Sequence, residues 1–65
     1  MAIQTVTTLC QYKGHSIEKV EQWMQEFFIV DHNFDVACWS MADAKRLIRG
    51  ESLVYETVKI QKCAL

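Results

Sequence analysis

Sixty-five residues with a formal net charge of −1, 51% of them hydrophobic, describe one small domain and nothing larger. A chain this short buries only ~60% of the surface its unfolded form exposes, so it needs a good core, an oligomer, a metal or disulfides to hold together. Seven Lys and Arg against eight Asp and Glu create no strong field towards nucleic acid or an anionic membrane, and no apolar run nears the ~20 residues of a bilayer span.

Residues 3–12, IQTVTTLCQY, are rich in β-branched side chains, and Ile3, Thr5, Thr7 and Leu9 alternate against Gln4, Val6, Thr8 and Cys10. They predict a strand. Lys13 and Gly14 then supply a turn, since glycine tolerates positive φ. Residues 16–28 support two readings. On a helix, Ile17, Val20, Trp23, Met24, Phe27 and Phe28 share one arc, with Ser16 as a cap. On a strand, Ile17, Lys19, Glu21 and Trp23 would share a face, so the alternation fails. Yet residues 27–31 and 34–39 form two aromatic and β-branched runs around His32 and Asn33. That is a hairpin pattern, and it requires residues 27–30 to be extended. Helix and strand therefore remain alternatives for residues 16–26.

The next element is firmer. Ser40 is a good N-cap, with Asp43 three residues on as the acid of a near capping box. Met41, Ala44, Leu47 and Ile48 form an apolar stripe. Lys45, Arg46 and Arg49 crowd the last turns, where cations complement the helix dipole, and Gly50 is a stop. Residues 52–61 alternate Val54, Glu56, Val58 and Ile60 against Leu53, Tyr55, Thr57 and Lys59, which predicts a final edge strand. The expected fold is one α+β domain over residues 1–65. In it a small antiparallel sheet of three to four strands is packed by a helix at 41–49.

Chemistry is sparse. Cys10, His15, His32 and Cys38 carry metal-ligand side chains, but no two form the closely spaced pair of a zinc site. Cys38, His32 and either Asp31 or Asp35 supply the residue types for nucleophilic catalysis. A hairpin nevertheless places position 38 about 20 Å from the turn at ~3.3 Å per residue. Gly14 and Gly50, the two glycines, form no phosphate loop. No catalytic residue, cofactor or metal is expected. Three cysteines, Cys10, Cys38 and Cys63, are an odd and widely spaced set that fits a reducing cytoplasm better than a disulfide framework. The opening MAIQTVTTLC lacks the pattern of a signal peptide, and Cys63 sits one place too late for prenylation.

Three segments, YKGHSI at residues 12–17, FIVD at 28–31 and SMADAKRLI at 40–48, together resemble small accessory proteins of phages and prophages. Those often run as a YKG-x-x-I opening, a hairpin and an S-x-x-E-A-K-x-x-I helix. The likeness covers residues 12–50. It implies a β-rich α+β miniprotein that binds host or phage macromolecules, and it carries over no catalytic residue. Two features depart from the pattern. Residues 21–26 lack the glycine or asparagine expected at a first hairpin turn, and a strand-like tail follows Gly50.

Trp23 and Trp39 are both expected in the core, as aromatics dominate small cores. Residues 34–39 are apolar on both strand faces, however, and a helix of nine residues covers only one face of a sheet. If residues 16–26 are extended, the other face needs a partner or a second subunit. The expected function is a non-enzymatic interaction protein that modulates or inhibits a larger protein, with a homodimer as the other form of association. Its surface is placed at Trp39 with the basic helix face Lys45, Arg46 and Arg49. The alternative is a small nucleic-acid-binding regulator that uses that basic face, which the acidic net charge disfavours. No membrane association is expected.

Overall fold

The computed structural model of the chain describes residues 4–61. Three strands, β1 (Thr5–Tyr12), β2 (His15–Gln22) and β3 (Gln25–Val30), are followed by one helix, α1 (Met41–Arg49). The strands form an antiparallel sheet in the order β1-β2-β3, giving a small α+β fold. Ile3 of the first predicted strand lies outside the described residues.

Residues 16–26 form no helix: 16–22 and 25–26 are extended, joined by a turn at 23–24. The alternation test favoured a helix because it assumes one wet face, and β2 has none over its first half. Ile17 points to one side and Val20 to the other, and both are fully buried. A strand buried on both faces shows no period of two. Around Ile17 lies one cluster with Cys10, Tyr12, Phe28, Cys38 and the α1 residues Ala44 and Leu47. Around Val20 lies the other, with Phe27, Ile29, Phe34, Ala37 and Ile60. The chain itself therefore covers β2 and β3 on the side that the helix leaves open, while Thr5–Leu9 of β1 stay exposed.

β1 reaches the helix side through a bulge. The register with β2 shifts between Thr8 and Cys10, so that Thr8 opposes Glu18 and Cys10 opposes Ile17. One extra residue in a strand reverses which face its successors meet. This shift puts Cys10 and Tyr12 into the helix-side cluster.

The predicted strand over 34–39 is reduced to two bridges. Cys38 exchanges both backbone hydrogen bonds with Phe28 at 2.7 and 2.8 Å, and Ala37 does so with Val58 at 2.8 and 3.0 Å. Residues 34–36 are diverted because Asn33 forms a side-chain turn, its Oδ1 accepting the Asp35 N–H at 3.1 Å. Such local bonds compete with a ladder. The predicted final strand over 52–61 is likewise absent apart from the bridge at Val58. The backbone N–H groups of Val54 and Tyr55 are held by the Asp43 carboxylate instead.

α1 matches its prediction at both ends. Ser40 Oγ accepts the Asp43 N–H at 3.1 Å, and Gly50 adopts φ 77°. The Gly50 N–H donates to Leu47 and the Glu51 N–H to Arg46, at 3.2 and 2.9 Å, the paired bonds of a Schellman stop. A Cβ at Gly50 would meet nothing within 4 Å. Gly50→Ala should therefore cost only the left-handed conformation, about 1 kcal/mol, seen as a fall of roughly 5 °C in melting midpoint. An unchanged midpoint would show that the stop contributes nothing.

Candidate functional site

Trp39 is 42% exposed, and its ring lies 4.9 Å from that of Phe27, tilted by 49°. Half of it thus supports the Val20 cluster and half faces solvent. The three cations of α1 are placed elsewhere, around Tyr12 and Asp43 on the helix side. Lys45 Nζ sits 5.4 Å from the Tyr12 ring centroid. Arg49 binds both Glu51 oxygens, at 2.8 and 3.0 Å, and donates to the Tyr12 hydroxyl at 2.8 Å. Arg46 Nη1 donates to Asp43 Oδ1 at 2.8 Å. The Arg49 hydrogen bonds hold the Glu51 carboxyl below its ordinary value. Trp39 and the basic residues are thus anchored in different clusters, and each cation already meets an anion or a ring of the same chain.

Asp43 is the most constrained polar group. Its relative exposure is 0%, and it accepts from Val54 N–H and Arg46 through Oδ1 and from Tyr55 N–H through Oδ2. Burial alone would push its carboxyl up. The two backbone bonds and then Arg46 outweigh burial, so the net shift is downward. The sequence marked Asp43 as a capping acid. Its role as the clasp of the 51–55 loop left no local signal, because its partners lie 11 and 12 residues away.

The histidines and thiols do not converge. His15 Nδ1 bonds Asp31 Oδ2 at 2.7 Å, while Asp31 Oδ1 accepts the Ser16 N–H at 3.0 Å. These bonds hold the Asp31 carboxyl low, the His15 bond contributing most. His32 Nδ1 bonds Glu18 Oε2 at 3.0 Å, and Glu18 Oε1 is buried without a hydrogen-bond partner among the described residues. Asp31 and His32 form a left-handed turn, with φ 53° and 60°, and each is tied back to β2 by one of these pairs. Burial, and then the Asp43 charge, raises the Cys38 thiol above its ordinary value. That is the opposite of an activated nucleophile. Cys10 and Cys38 are free thiols, and Cys63 lies outside the described residues. Among the described residues no group of three or more His, Cys, Asp and Glu is placed to hold a metal.

The β2–β3 hairpin tip lies where the helix reading of residues 16–28 places a core residue. Trp23, expected in the core, is 70% exposed, and Met24 is fully exposed at 106%. Both adopt positive φ, 51° and 61°, in a two-residue loop that normally takes Asn-Gly or similar residues. Left-handed backbone costs of order 1–3 kcal/mol at each such side chain. A signal was present in the mirrored run VEQ-WM-QEF, in which Val20 pairs with Phe27, Glu21 with Glu26 and Gln22 with Gln25. Directly paired residues share a face and an environment, so a hairpin reads as a polarity mirror about its turn.

The fold and surface together define a small α+β domain with exposed apolar side chains and compensated charges. Comparison with protein-family models, curated proteins and solved structures gives no match for this chain. No described helix is long and apolar enough to cross a membrane.

Proposed function

We propose that the chain is a small non-enzymatic interaction protein of the phage or prophage accessory kind. It acts in the reducing cytoplasm by binding a larger protein as a modulator or inhibitor. One observation carries this reading. With β2 and β3 covered on both faces by the chain itself, Trp23, Met24, Trp39, Val54 and Tyr55 still stand between 42% and 106% exposed, and Val6 and Leu9 of β1 are also exposed. Apolar side chains of this size, grouped at loops and a hairpin tip, are a common basis of protein recognition.

The nucleic-acid reading has less support, because Lys45, Arg46 and Arg49 are already engaged within the chain. Photo-crosslinking in the source cell separates the two. A benzophenone side chain at position 24, 39 or 55 should yield a discrete heterologous protein adduct, and the same group at Lys59 should yield none. Adducts with nucleic acid alone, or with nothing, defeat the proposal. In parallel, the purified chain should show no salt-dependent affinity for single-stranded or duplex oligonucleotides at low ionic strength.

A further inference from the structure

We propose that Trp23 and Met24, at the β2–β3 tip, are inserted by this protein into an apolar pocket on its partner, rimmed by lysine or arginine. The inference rests on the protein-binding reading above and assigns its anchor and the chemistry of its occupant. The tip breaks two local rules at once. First, a tight hairpin loop with positive φ at both residues favours asparagine and glycine; the Lys13-Gly14 turn uses glycine, and the Asp31-His32 turn, also with positive φ at both residues, ties each side chain to β2 by a hydrogen bond. Trp23 and Met24 instead adopt φ 51° and 61° while 70% and 106% exposed, so little packing within the chain offsets the strain. Second, Glu21 and Glu26 lie directly opposite each other just behind the tip. Like charges at paired positions destabilise a sheet, and among the described residues Lys19 meets this pair through Glu21, at 3.7 Å.

A single kind of partner removes both costs. An apolar pocket takes the indole, with the flexible thioether of Met24 filling irregular space beside it. A basic rim neutralises the acidic collar of Glu21 and Glu26 and steers the encounter. Other occupants fit less well. The collar repels anionic lipid and nucleic acid. A second copy of the chain offers a groove of about 510 Å³ lined by Val30, Val36, Leu47 and Ile48. His15 and Asp31 also line it, and Asp31 is an acid held ionised that would repel the same collar.

The test replaces the tip, Trp23→Asn with Met24→Gly, in the full chain. Thermal melting should rise by about 5 °C, because Asn-Gly removes the strain, while the position-39 crosslink to the partner should fall at least tenfold. Charge reversal, Glu21→Lys with Glu26→Lys, should likewise weaken the complex about tenfold, with loss of its salt dependence. A lower melting point in the tip variant would make Trp23 and Met24 structural and overturn the proposal. A partner adduct that survives the tip change but disappears on Trp39→Ala or Tyr55→Ala would overturn it too, and would leave the broader protein-binding reading standing. No adduct from any position would defeat both. A blue shift of Trp23 fluorescence with phosphatidylcholine or phosphatidylglycerol vesicles would assign the tip to a lipid surface instead. Concentration-dependent dimerisation abolished by the tip change would assign it to a second copy.

Discussion

Asp43→Asn should lower the thermal midpoint by on the order of 10 °C, the largest loss expected from a change of so few atoms. The carboxylate is buried and accepts three hydrogen bonds, two from backbone N–H groups and one from Arg46. An asparagine turns one acceptor into a donor that faces either Val54 N–H or Tyr55 N–H, and it also removes the charge opposite Arg46. An N–H in this part-buried site then loses its partner, which is costlier than never having made the bond. Amide exchange of residues 51–57 should accelerate with the fall in midpoint. A variant melting within about 2 °C of the wild type would show that the loop does not depend on this clasp.

The same residue governs the acid limb. Asp43 titrates below its unfolded value because the bonds at the carboxylate outweigh burial. A carboxyl lowered by folding contributes stability that is fully present above its unfolded pKa, near ~3.9. That stability is lost as pH falls through the folded pKa. Wild-type stability should therefore decline as pH drops below about 4. Asp31 and Glu51 shift in the same direction and remain in the variant, so the Asp43→Asn limb should be shallower rather than flat. Melting midpoints measured between neutral and acid pH decide this.

Ile60→Asp is expected to open the sheet face opposite the helix. Ile60 is buried against the cluster of Val20, Phe27, Ile29, Phe34 and Ala37. It is held there by its N–H bond to the Phe34 carbonyl at 2.9 Å. An unpaired carboxylate does not remain in such a cluster, so the segment from Val58 onward should peel away. Losing the Ile60 side chain alone forfeits ~1.5–3 kcal/mol. A domain of 65 residues has roughly 3–10 kcal/mol in total. The variant should melt far below the wild type, bind an apolar-surface dye, and self-associate by light scattering. Lys59→Ala is the control. Its Nζ lies 3.9 Å from Asp35 with both side chains largely in solvent, and such pairs contribute about 0–1 kcal/mol. Equal stability of the two variants would show that the tail does not cover the sheet.

The helix and its limits were legible because each determinant is local. Ser40 caps within three residues, and Gly50 supplies the one backbone conformation that stops the turn. β1 and the Lys13-Gly14 turn were legible for the same reason. The extended state of residues 16–22 and the turn at 23–24 were not. In isolation their apolar residues fit a helix as well as a doubly covered strand, and only the cover on both faces, from α1 and from the 34–60 segment, distinguishes them. The mirror about Trp23 and Met24 was present in the sequence, but a bulky pair in place of Asn-Gly concealed the turn.

Trp39 illustrates the division at the candidate site. Its half-exposed position on Phe27 depends on the bridge of Cys38 to Phe28, which lies within the hairpin suggested by the runs at 27–31 and 34–39. Its separation from Lys45, Arg46 and Arg49 depends on which side of the sheet the helix takes, and no local pattern encodes that.

The sequence by itself therefore determined the class, the helix with both its ends, the first turn and a charge balance with no excess of cations. Tertiary structure alone decided the course of residues 52–61. There a carboxylate 11 residues upstream captures two backbone N–H groups that a strand would have used. It also decided that the chain covers β2 and β3 on their second face, leaving the hairpin tip outside. Short-range steric and capping preferences act within a turn or two and can be read along the chain. Burial, and the competition for a backbone hydrogen bond, depend on what the rest of the chain brings to the same place.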